Sequence, residues 1–110
     1  MEIEVQRSNE EAVIALTSRV DVNTSPDLRN VVLALYTKDR CKNVTLDFAH
    51  VSYIDTSGLA TLIDILISAK EQCAQLTLSG LNERVRYLID VNGLINFFRI
   101  ENSVQERLHA

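Results

Sequence analysis

The chain is poor in the residues that most often announce a chemistry. It has no tryptophan, three tyrosines and three phenylalanines, so a stacking platform for single-stranded nucleic acid is poorly supported. Its two cysteines, Cys41 and Cys73, are far apart, and His50 and His109 do not cluster with them. That spacing argues against a structural metal site and leaves both thiols free in a reducing compartment. Cys73, at the end of a helical stripe, is expected to be a small packed residue. The three glycines (Gly58, Gly80, Gly93) form no phosphate-cradling run followed by lysine. No apolar run approaches the roughly 20 residues of a membrane span, since the longest, Leu62 to Ile67, is broken by Asp64. The opening residues lack a basic region followed by an apolar block, which argues against a signal peptide and for a cytoplasmic location. Basic residues are outnumbered 11 to 15 by acids and are scattered, so nucleic acid and membrane insertion are not expected.

What remains is one ordinary globular domain, 1–110, with 46% hydrophobic residues. Alternation over 2–6 and an apolar run over 12–17, joined at Asn9-Glu10, predict a hairpin. Pro26 stands at a favoured first helical position, behind Thr24 and Ser25 as candidate caps. Leu28, Val31, Val32 and Leu35 then mark a helix to about Thr37. Strands follow at 44–48, 76–79 and 97–100. Helices are expected over 56–72, from an Asn82 cap to Asn92-Gly93, and over 103–108. The order is β-β-α-β-α-β-α-β-α. It implies an α/β fold, a mixed and mostly parallel sheet of four to five strands with about four helices. Ligand and partner sites of such sheets gather where strands hand over to helices. Asp21 and the block Asp55-Thr56-Ser57-Gly58 both lie on such connections and should share one end of the sheet.

Asp55 fits an N-cap, with a charge that suits the helix dipole. At 100° per residue, Leu59, Leu62, Ile63, Leu66 and Ala69 form the expected inward face of the second helix, and Ser57, Thr61, Asp64, Ser68 and Gln72 the solvent stripe. Ala60, Ile65 and Ile67 border that stripe, either as part of a protein-binding face or packed under neighbouring loops. Gly58 costs up to ~1 kcal/mol relative to alanine in a helix and leaves the chain near Ser57 open to close approach. A catalytic role for Ser57 is disfavoured. A nucleophile elbow needs glycines two positions before and after, where this chain has Asp55 and Leu59, and no histidine is well placed as base. No residue is expected to be catalytic and no cofactor is implied. The reading left is a serine that another enzyme modifies, where a phosphate would add about −1.5 to −2 charges at a helix start that tolerates them.

These residues resemble a known family. The segment VTLDFAHVSYIDTSGLATLI is similar to the signature of STAS domains, named for sulfate transporters and anti-sigma-factor antagonists. ALTSRVDVNTSPDLRNVV resembles the family's loop before the first helix, with Asp21 at its aspartate, and LSGLNERVRYLIDVNGLINFF its third segment. Ser18 departs from the pattern, standing where the family usually has glycine. The resemblance implies a stand-alone antagonist that binds an anti-sigma factor and frees the sigma factor. The partner would be an ATP-binding serine kinase of histidine-kinase-like fold. It would phosphorylate Ser57 and so end binding, and a PP2C-type phosphatase would reverse the step. The implied partner face is Asp21, Asn23, Asp55, Thr56, Ser57, Gly58, Ala60, Thr61 and Asp64. Two other roles stay open: a STAS subunit docking on the ATPase of an ABC-type lipid transporter, and a nucleotide or small-ligand sensor.

Overall fold

The hydrophobic pattern resolves into five strands and three helices in a computed structural model that describes residues 3–17 and 19–102. Strands β1 (Ile3–Ser8) and β2 (Glu11–Leu16) form the hairpin, turning at Asn9 with φ 57°. Helix α1 (Ser25–Thr37), β3 (Asn43–Asp47), α2 (Thr56–Glu71), β4 (Gln75–Ser79), α3 (Glu83–Val91), a 3-10 turn (Ile95–Phe97) and β5 (Arg99–Glu101) follow. The sheet order is β1-β2-β3-β4-β5, with β1 antiparallel to β2 and every later pair parallel. The mixed, mostly parallel α/β architecture is therefore as expected. The helix expected over 103–108 and the departure at Ser18 lie outside the described residues.

Register explains the core. Ile14 pairs with Leu46, Leu46 with Leu78, and Leu78 with Ile100, while Ala12, Val44 and Leu76 align one step earlier. Period-two alternation puts these rows on one face of the sheet. They join Leu28, Val32, Leu59, Leu62, Val85 and Ile89 of the helices in one core. Tyr36 is buried at its edge and donates its hydroxyl to the Gln75 carbonyl at 2.7 Å. Burial, and secondarily the charge of nearby Cys41, pushes that hydroxyl well above its ordinary value.

Several local expectations are corrected. The last strand begins at Arg99 rather than Phe97, because Leu94 to Phe97 closes a 3-10 turn that leaves Phe97 exposed and Phe98 buried. Cys73 is exposed with φ 54°, since the chain must reverse there between α2 and β4, whereas Cys41 is the packed thiol. Thr24 occupies the cap position of α1 without a capping side-chain bond. Its hydroxyl instead donates to the Arg19 carbonyl at 2.8 Å and accepts from the Asp21 N–H at 2.9 Å.

Candidate functional site

Parallel strands β2, β3 and β4 all end on the same side, and their three exit loops are laced together there. The Val20 N–H donates to the Tyr53 carbonyl at 3.0 Å, and the Asp55 N–H donates to the Val20 carbonyl at 3.1 Å. These two bonds form an isolated parallel bridge, Val20 with Ile54, beyond the ends of β2 and β3. The Asn82 side chain ties in the third loop. Its Nδ2 donates to the Val51 carbonyl at 3.0 Å while its Oδ1 accepts from the Val85 N–H at 2.7 Å. The cap of α3 is thus also the rivet that holds α3 to the segment before α2.

The bridge places the Asp21 loop directly beside the start of α2. Asp21 shapes its own loop: its Oδ1 accepts from the N–H groups of Asn23 (2.9 Å) and Thr24 (3.2 Å). Such an Asx turn holds Val22 and Asn23 out in solvent. Asp55 caps α2 as expected, its Oδ1 accepting from the Gly58 N–H at 2.9 Å. Among the described residues the N–H groups of Thr56 and Ser57 have no acceptor, as the first turn of any helix leaves some donors unused. Thr56 is exposed and Ser57 half-buried, and neither hydroxyl is held by a hydrogen bond among the described residues. Asp21, Asn23, Asp55, Thr56, Ser57 and Gly58 are therefore brought to one place.

Further along α2 the expected pattern needs revision. Thr61 and Ser68 are buried, not on a solvent stripe, at 6% and 7% exposure. The reason is that α2 packs both on the sheet and along α1, so its buried arc is wider than a one-sided helix presents. The solvent face is instead Thr56, Ala60, Ile63, Asp64 and Ile67. Ile63, expected inward, is partly exposed, and Ile67 is 51% exposed; Ile65, expected at the border, is fully buried. Asp64 accepts from Arg29 of α1 at 3.4 Å, an exposed pair that bridges the two helices. Thr61 is thus withdrawn from the accessible face. Val22 and Ile63 are apolar residues that sequence phase did not assign to it, while Ile67, expected at its border, does lie on it.

Gly58 has a different reason from the one expected. It is buried, and a Cβ there would lie 2.5 Å from Ile54 Cγ1 and 2.6 Å from the Val20 carbonyl oxygen. The glycine lets α2 start tight against the Val20–Ile54 bridge; it does not open a path to solvent. Among the described residues no group of His, Cys, Asp and Glu side chains could hold a metal ion, and no helix is long and apolar enough to cross a membrane.

The sequence matches the STAS domain family over residues 2–107. It is 25% identical over 97 residues to the anti-sigma-B factor antagonist of Listeria monocytogenes, covering 88% of this chain and 84% of that protein. Among solved structures, an anti-sigma-factor antagonist (STAS) domain protein from Planctomyces limnophilus superposes with a TM-score of 0.84 at 17% identity, covering 97% of this chain and 95% of the other. The Bacillus cell fate determinant SpoIIAA in its phosphorylated form superposes with a TM-score of 0.77 at 15% identity, covering 98% and 97%. At such identities the structural likeness concerns the fold.

Proposed function

The chain belongs to the STAS domain family, and from that premise we propose that it is an anti-sigma factor antagonist switched by phosphorylation of Ser57. The observation that carries this reading is the bridge between Val20 and Ile54, which sets the solvent-held Asp21 loop against an unbonded serine hydroxyl at the start of α2. The unmodified face offers Val22, Asn23, Thr56, Ala60, Ile63, Asp64 and Ile67 to an anti-sigma factor. That mixture of small apolar groups and polar groups resembles the centre and rim of a protein interface. The partner supplies ATP and acts as the kinase; the domain itself catalyses nothing. A phosphate on Ser57 places about two negative charges in the middle of the contact. The open N–H groups of the first turn receive it, so the fold survives and the interface is lost. A PP2C-type phosphatase resets the switch.

The test is phosphorylation in the native host or by the candidate kinase with Mg-ATP. One phosphate is expected on the tryptic peptide spanning residues 43–70, at Ser57, and none in Ser57→Ala. Binding to the anti-sigma factor should persist in Ser57→Ala and weaken by about tenfold or more, about 1.4 kcal/mol, in Ser57→Asp. Phosphate on another residue only, or binding that is indifferent to both substitutions, refutes the assignment.

A further inference from the structure

A second feature at the same end of the sheet is not used by the switch. Tyr53, in the segment before α2, has two guanidinium groups over its ring: Arg19 at 4.9 Å and Arg84 at 5.1 Å from the centroid. They come from different connections, Arg19 from the loop after β2, just before Val20, and Arg84 from the first turn of α3. Together with Ser52 they line an open cleft of about 460 Å³. The backbone beneath is fixed. Tyr53 is held through its carbonyl by Val20, Arg19 through its carbonyl by the Thr24 hydroxyl, and α3 by the Asn82 rivet.

This arrangement carries a local electrostatic cost despite the chain's net charge of −4. Both guanidiniums are exposed, and neither forms an ion pair or a hydrogen bond among the described residues. Their distances to the shared ring keep the two charges within about 10 Å of each other, about one Debye length, so they repel. Arg84 also opposes the dipole of the helix that carries it. Attraction to the ring face offsets part of this but leaves the N–H edges of both forks unused. An oxyanion in the cleft would satisfy them. A carboxylate, with two oxygens and one charge, is matched by a single fork. Two guanidiniums that line one cleft together with Ser52 match a group with three free oxygens and two charges.

We propose that Arg19, Ser52, Tyr53 and Arg84 form a binding site for the phosphate dianion of a phosphomonoester. The assignment does not depend on Ser57 being phosphorylated. The group reaches the cleft either as a free small phosphate or on a phosphorylated side chain of a protein. The test is an NMR titration of the isotope-labelled chain with inorganic phosphate at neutral pH and constant ionic strength, following the arginine Nε–H signals and the amides of residues 52–54. A saturable millimolar response is expected. Arg19→Gln and Arg84→Gln should each weaken it by about tenfold, the loss of one charge-assisted contact. Arg29→Gln, at the distant pair with Asp64, should leave it unchanged. A short phosphoserine peptide titrated in parallel separates the sources. Binding about tenfold tighter than inorganic phosphate assigns the site to a phosphorylated protein, and equal binding assigns it to a free phosphate. Shifts that never saturate, or a response of wild-type strength in both Arg19→Gln and Arg84→Gln, overturn the proposal.

Discussion

Replacing Gly58 by alanine sets two effects against each other, and the structure decides between them. Alanine is the better helix former, a gain of up to ~1 kcal/mol and less in a first turn. Against it, the new methyl would lie 2.5 Å from Ile54 Cγ1, 2.6 Å from the Val20 carbonyl oxygen and 3.0 Å from Val20 Cγ1. Carbon atoms rest near 3.5–4.0 Å, so a shift of roughly 1 Å is required. Neither neighbour can give cheaply, because Val20 and Ile54 are 0% and 1% exposed. Overpacking of this kind costs about 1–3 kcal/mol. The oxygen that must move also accepts the Asp55 N–H, a bond contributing about 1 kcal/mol. The net expectation is a loss of about 1–3 kcal/mol, or a fall in Tm of roughly 4–12 °C for a domain of this size.

Urea unfolding followed by circular dichroism measures the loss directly. Gly93→Ala is the internal comparison. Gly93 has φ +74° and no heavy atom within 4 Å of its would-be Cβ, so that variant carries only the cost of a left-handed backbone, about 1 kcal/mol. If the binding site depends on the Val20–Ile54 bridge, Gly58→Ala should also weaken partner binding more than Gly93→Ala does, though no side chain is removed. A Gly58→Ala protein as stable as the parent, or more stable, would refute the close-packing account and restore the view of Gly58 as a mere opening beside Ser57.

Tyr36→Phe should alter the alkaline limb of stability. The fold holds the phenol proton more tightly than the unfolded chain does, so its contribution is complete below the unfolded value near 10 and is lost as pH rises above it, at up to about 1.4 kcal/mol per pH unit. The variant should lose about 1 kcal/mol at neutral pH with the bond to Gln75 but show a shallower decline above about pH 10, read from urea midpoints across that range. Asn82→Ala should cost about 2 kcal/mol, removing both a cap and the bond to Val51. Asn82→Asp keeps the capping oxygen and should cost about 1 kcal/mol, measured by thermal unfolding. Asp55→Ala should cost about 1 kcal/mol and Asp55→Asn a few tenths at most; equal losses by urea titration would show that charge, not capping, is what Asp55 contributes.

The element order could be read from the sequence because each element carries its own local signal: period-two runs for β1, β3 and β4, an apolar run for β2, a proline-led stripe for α1, and Asn and Gly at the two ends of α3. The cap at Asp55 was legible for the same reason. What could not be read depends on neighbours. The phase of α2 fails at Thr61, Ile63 and Ser68 because a helical wheel assumes one buried side, and only the packing of α1 along α2 supplies the second. Gly58 was legible as unusual but not as close-packed, since Val20 reaches it from a different loop. Arg19, Tyr53 and Arg84 are spread over two loops and the start of α3, and no spacing rule connects them. The shift of β5 has a subtler cause. Phe97 and Phe98 are equally apolar, and only the 3-10 turn decides which of them faces inward.

These neighbour effects bear on how the two acids should be understood. Asp21 and Asp55 attract notice as charges flanking a serine, yet each commits an oxygen to backbone N–H groups, Asp21 to its own turn and Asp55 to the first turn of α2. Their first contribution is shape. They fix where Val22 and Asn23 stand and where α2 begins, and removing either would move the surface before it changed the field. A phosphate on Ser57 would meet these acids and the unused N–H groups of Thr56 and Ser57 together, so repulsion and helix-end attraction act within one turn. Their near balance would leave the fold in place. A partner burying the site would meet the phosphate without water to screen it, and that desolvation has no counterpart in the free domain. Charge at this serine would therefore be expressed in binding rather than in folding, as a switch requires.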